Sequence, residues 1–129
     1  MPDDVRFTER ELDIMQILWE RGPATVAEVR DALEDDLAHN TVLTMLKVLE
    51  EKGHVGRDTA ERAHRYAALV ERGDAGTSAL RRVTRKLFRG SPEELVLRLV
   101  DAEGLDDAEI TRLRDLLDAR LRAERGDEQ

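Results

Sequence analysis

Cysteine is absent from the 129 residues, which excludes disulfides, thiol nucleophiles and thiolate metal sites. Aromatic residues are almost as scarce. Trp19, Tyr66, Phe7 and Phe88 are the whole set, so a core must be built from Leu, Val, Ile and Ala, which favours packed helices over a sandwich. No apolar run approaches the ~20 residues that cross a bilayer. The opening MPDDVRF carries acids where a signal peptide carries a basic stretch and then an apolar one. The expectation is a cytoplasmic protein without membrane insertion.

Positive charge is also in deficit. The formal net charge is −8, which argues against a nucleic-acid partner, because affinity for DNA comes largely from Lys and Arg neutralising phosphates. The distribution changes that reading. Residues 1–36 hold four Arg against eleven acids, whereas residues 37–70 hold five basic residues (47, 52, 57, 62 and 65) against four acids. His39, His54 and His64 fall in the same stretch. Any DNA-facing surface is therefore local and weakly basic, with strong salt sensitivity expected.

Helix starts are legible. Thr8/Glu11, Thr25/Glu28, Ser91/Glu94 and Asp106/Glu109 each place an N-cap residue three positions before a Glu, the spacing of a reciprocal capping box. Phe7 with Leu12 and Leu105 with Ile110 add hydrophobic staples, and Pro92 occupies a first helical position, where its missing donor costs nothing. The apolar spacing predicts a helix over about 8–21 with Leu12, Met15, Leu18 and Trp19 inward, a short helix over about 25–34, and a third over about 39–52 with Val42, Met45, Leu46 and Leu49 inward. Residues 54–58 and 63–69 read as two strands of a hairpin. Gly73-Asp74-Ala75-Gly76 reads as a hinge, followed by helices over about 77–89, 92–102 and 107–124.

Helix, short turn, helix, third helix and hairpin is the order of a winged helix-turn-helix, in which the third helix enters the major groove. The fold class expected is mainly α with a small β-hairpin: a winged helix-turn-helix domain over 1–72 and a helical dimerisation region over 73–129. With Val42 inward, His39, Asn40, Thr41, Leu43, Thr44 and Lys47 are available on the outer face of the third helix. Asn can pair with adenine, and Thr and Leu methyl groups can meet thymine methyls. Lys47, Lys52, Arg62 and Arg65 are the candidates for phosphates, with Thr25 touching a phosphate from the second helix and His64 on the wing. By spacing alone, the same residues also read as an ordinary helix start with a solvated face.

Together these pieces resemble the BlaI/MecI/CopY penicillinase-repressor family of winged-helix regulators. Residues 40–46 (NTVLTML), Glu51-Lys52-Gly53 and Arg62-Ala63-His64-Arg65-Tyr66 are similar to its recognition helix, helix end and wing. Residues 8–15 with Leu18-Trp19 are similar to its first helix, and Phe88-Arg89-Gly90-Ser91 with residues 105–117 to its dimerisation region. The resemblance implies a homodimeric repressor on a two-fold symmetric DNA operator. It also implies release by cleavage within the dimerisation region, triggered through a membrane metallopeptidase sensor, at the bond aligning with Arg98-Leu99. Ala38 and Val48 stand where the family often has a Ser/Thr cap and an Arg, and the missing cysteines exclude the metal sensing of its copper-responsive branch.

The expected dimer contacts are Leu80, Leu87, Phe88, Leu95, Leu99, Ile110, Leu113 and Leu117, because a narrow helical extension cannot bury such stripes alone. Catalysis is not expected: Ser78 and Ser91 are the only serines, Ser91 reads as a cap, and the histidines lack metal-type spacing. No cofactor is expected. The rival reading is a winged-helix module for protein contacts, which would account for the net acidity.

Overall fold

The first two helices each start at a capping pair. In the computed structural model, which describes residues 5–126, Thr8 caps α1 (Glu9–Arg21) and Thr25 caps α2 (Val26–Ala32). In both, the threonine hydroxyl accepts from the backbone of the Glu three residues on, and that Glu carboxylate accepts in return from the threonine N–H. The third helix, α3 (His39–Glu51), follows the short turn after α2. Its N-cap, Ala38, makes no side-chain hydrogen bond. Strands β1 (Val55–Asp58) and β2 (Arg65–Ala68) pair antiparallel, from Val55 opposite Ala68 to Asp58 opposite Arg65. The chain continues through α4 (Arg72–Leu87), α5 (Pro92–Glu103) and α6 (Asp107–Gly126). The architecture is a mainly helical winged helix with a two-stranded wing. No helix among the described residues is long and apolar enough to cross a membrane.

Contacts divide the chain into two units, one ending at Arg82 and one starting at Val83. The core of the first unit joins Ile14, Met15 and Leu18 of α1, Val29 of α2, Val42, Leu46 and Leu49 of α3, and Val55 and Tyr66 of the hairpin. On α1 the inward stripe differs from the expected one. Ile14 is fully buried and Leu12 is 39% exposed, because residues 11, 14, 15 and 18 share the core face. Leu12 and Trp19 lie on a flank with Phe7, where the Trp19 Nε1–H donates to the Val70 carbonyl at 2.7 Å. The wing is anchored by a feature with no sequence signal: Ala24 and Tyr66 exchange backbone hydrogen bonds of 3.0 and 2.8 Å, which ties the turn before α2 to β2.

The expected hinge is not one. Residues 73–76 lie within α4, whose helix begins at Arg72. Two glycines cost a helix about 1 kcal/mol each against Ala, but here Ala75 and Ser78 are buried and the Ser78 hydroxyl donates to the Val5 carbonyl at 3.3 Å. Tertiary packing overrides local propensity.

The second unit is locally well formed. Arg89 and Gly90 turn the chain with φ of 54° and 76°, Ser91 caps α5 by accepting from the Glu94 N–H, and Gly104 ends α5 in the left-handed conformation. There the Leu105 N–H reaches back to the Val100 carbonyl at 3.1 Å. Asp106 and Glu109 complete a reciprocal box at the start of α6. Neither α5 nor α6 has a buried residue.

Candidate nucleic-acid interface

The outer face of α3 forms one wall of a groove of about 420 Å³. His39, Leu43 and Lys47 line it at i, i+4 and i+8, one stripe of a helix. Thr25 contributes from the start of α2, and Arg62 and His64 from the loop of the wing. That loop opens with the Asp58 carboxylate accepting from the Ala60 N–H at 2.9 Å, a local turn that needs no Asn-Gly pair. Six of the expected residues, scattered over forty positions of sequence from Thr25 to His64, thus converge on one surface. Asn40, Thr41 and Thr44 do not line the groove; they are exposed on α3 beside it.

Charge in this region is sorted into committed and open groups. The Lys52 Nζ sits 2.9 Å from a Glu11 carboxylate oxygen, and Glu11 is only 5% exposed. Burial pushes the Glu11 carboxyl up, but the Thr8 backbone N–H and the Lys52 ammonium outweigh it and hold the group below its ordinary range. Lys52 therefore neutralises a buried acid at α1. Arg65 is engaged too: its Nη1 lies 2.9 Å from Glu28 and its Nε 3.9 Å from Glu61. The Thr25 backbone N–H, followed by Arg65 and Arg21, keeps Glu28 below the usual carboxylate range. Lys47 and Arg62 are exposed, and among the described residues neither belongs to an ion pair.

The three histidines separate. His39 and His64 line the groove, whereas His54 is buried against Phe7 with ring centroids 4.9 Å apart. Desolvation, then the neighbouring Lys52, lowers its pKa against an opposing pull from Glu11. The three therefore do not form a shared ligand set.

The helix ends carry a further contrast. Both α1 and α2 are capped and carry acids in their first turns, whereas α3 has neither a side-chain cap nor an acid there. Its first amides and positive dipole end remain open to an anion. Ala38 in the sequence already carries that signal. Arg57, which lines the groove from β1 and lies 3.5 Å from Glu50, went unremarked as a site residue; a basic residue two positions after the inward Val55 was its only sequence mark.

The expected dimerisation residues all lie on helices or their ends. Leu80, Leu87, Leu99, Ile110, Leu113 and Leu117 are exposed, from 39% at Leu113 to 73% at Leu87, and Phe88 and Leu95 are half-buried. Arg98 and Leu99 lie inside α5, both exposed.

The chain is similar to known proteins in both sequence and fold. The profile of the penicillinase repressor family matches residues 7–119. The methicillin resistance regulatory protein MecI of Staphylococcus aureus strain N315 is 27% identical over 113 residues, covering 86% of this chain and 92% of MecI. The transcriptional regulator BlaI of Mycobacterium tuberculosis is 32% identical over 111 residues, covering 83% and 80%. Among solved structures, the transcriptional regulator Tm0710 of Thermotoga maritima matches with a TM-score of 0.53 at 21% identity, covering 92% of this chain and 77% of that one. A MarR family protein of Bacillus stearothermophilus matches with a TM-score of 0.50 at 25% identity, covering 93% and 76%.

Proposed function

This chain belongs to the penicillinase repressor family, and we propose on that premise that it is a sequence-specific DNA-binding transcriptional repressor, acting in the cytoplasm as a homodimer on a two-fold symmetric operator. The observation that carries the proposal is the convergence of α3, the start of α2 and the wing on one groove, at the foot of a helix whose N-terminus is uncapped. In this reading His39, Asn40, Thr41, Leu43 and Thr44 meet base edges in the major groove, and Lys47 and Arg62 meet phosphates. The Thr25 hydroxyl, while accepting from Glu28, retains its own O–H to donate to a phosphate. Arg65 and Lys52 act through the carboxylates they neutralise, keeping Glu28 and Glu11 from repelling the duplex.

The exposed leucines of α4, α5 and α6 are the dimer surface in this proposal, and the paired α3 helices meet successive major grooves about 34–36 Å apart. Cleavage at Arg98-Leu99, signalled through a membrane metallopeptidase, is its release step. Because that bond lies within α5, a protease reaches it only after local unwinding.

The test is selection of bound duplexes from a random pool at two salt concentrations. A two-fold symmetric motif with salt-sensitive binding is expected. Lys47→Ala and Arg62→Ala should weaken binding to all sequences and reduce the salt slope by about 1 each, whereas Asn40→Ala or Thr44→Ala should change base preference by about 1–3 kcal/mol at one position. A folded dimer that enriches no sequence would overturn the proposal in favour of a protein-contact module.

A further inference from the structure

A second groove, of about 240 Å³, lies in the first unit between the flank of α1 and the first turns of α4. Its walls are apolar, from Val5, Phe7, Leu12 and Trp19, and its α4 side is kept low by Ala75, Gly76 and Ala79. A Cβ added at Gly76 would meet no heavy atom within 4 Å, so a side chain there has room. The volume greatly exceeds the ~30 Å³ share of one water. Two arginines, Arg72 and Arg82, also line it. Arg72 is already engaged: it stacks over Trp19 at 5.6 Å and donates to Gln16 at 2.9 Å. Arg82, ten residues and about 15 Å further along the helix, is not. Its Nη1 is buried and has no hydrogen-bond partner. An unmet buried donor is destabilising, the more so when charged, and the group that satisfies a guanidinium best is a carboxylate.

We propose that this groove binds a small organic monocarboxylate with an aromatic or branched apolar body, the carboxylate meeting Arg82 and the body lying over Gly76 against Trp19. Because Nη1 is buried in the ligand-free chain, binding requires the long Arg82 side chain to rotate to meet the anion. The proposal is independent of the DNA-binding reading, since its site shares no residue with the α3 groove.

Trp19 is the sole tryptophan, so its fluorescence reports on this groove. The experiment titrates the full-length, DNA-free protein with benzoate as the probe and benzamide as its neutral counterpart. A saturable change at low millimolar benzoate is expected, at least tenfold weaker with benzamide. Arg82→Met should weaken benzoate binding at least tenfold. Gly76→Leu, which fills the groove from its open side, should abolish it. Circular dichroism confirms that each variant is folded, and Gly76→Leu tests the groove should Arg82→Met unfold. Equal binding of benzoate and benzamide, or unchanged binding by both folded variants, overturns the proposal. So does a wild-type chain that gives no saturable change.

Discussion

The two units of this molecule use equally good local signals and reach different ends. Up to Arg82, capped helices and the hairpin enclose Ile14, Val42, Leu46 and Tyr66 at 0–1% exposure. From Val83 onward, the Ser91 and Asp106 caps and the left-handed Gly104 stop are as well made, yet α5 and α6 contain no fully buried residue. The difference teaches that helix starts and stops are written locally, whereas a core depends on having somewhere to put the apolar stripe. Exposed leucines at 116, 117 and 121 (67, 63 and 49%) are a stripe awaiting a surface.

The strongest way to break the comparison is truncation of one leucine in each unit. Leu46→Ala should destabilise the first unit by about 2–5 kcal/mol in denaturant unfolding. Leu117→Ala should cost about 0.5 kcal/mol or less in dilute monomer and act instead on self-association, seen as a loss of the concentration dependence of Tm. Equal losses at every concentration would mean that the second unit has a closed core of its own.

A smaller effect is expected at the Glu11–Lys52 pair. Lys52→Met leaves a nearly buried carboxylate with only its Thr8 partners; because the lysine is 42% exposed, the loss should be about 1 kcal/mol. The double variant Glu11→Gln/Lys52→Met should recover part of it. The caps sharpen the comparison next. Thr25→Ala should lower first-unit stability by about 1 kcal/mol, while Asp106→Ala, with the same local chemistry, should appear as faster amide exchange at the start of α6 and leave the first unit unchanged.

Smallest is the pH effect at His54. Burial lowers its pKa in the folded state, so the unfolded chain binds the proton more readily. Stability is full above the ordinary histidine value of 6.5 and falls as pH drops below it. Glu11, held low, adds its own loss only below the carboxylate value of 4.5. Thermal melts across this range should show the upper step vanish in His54→Gln and the lower one persist.

Much of the first unit was legible because its signals are short-range. Capping pairs, the 3.6-residue stripe of α3 and the Gly53 stop each concern neighbours in sequence. What went astray involved distant partners. Leu12 was expected inward because the periodicity of α1 accommodates two adjacent stripes, and only the placement of its neighbours selects the one through Ile14. The hinge at 73–76 was misread because two glycines look like a break until Ala75 and Ser78 are packed. Nor does sequence show that Lys52 and Arg65 pair with Glu11 and Glu28, 41 and 37 positions away.

By itself the amino-acid sequence determined where the capped helices α1, α2, α5 and α6 begin, which face of α3 turns inward, and that no thiol chemistry is available, because these follow from residue type and local spacing. Only the tertiary structure decided which cations stay open, which flank of α1 meets α4, and that Thr25, His39 and Arg62 share a groove. Those outcomes depend on which distant groups come within hydrogen-bonding or van der Waals reach, a property of the packed chain that no local pattern encodes.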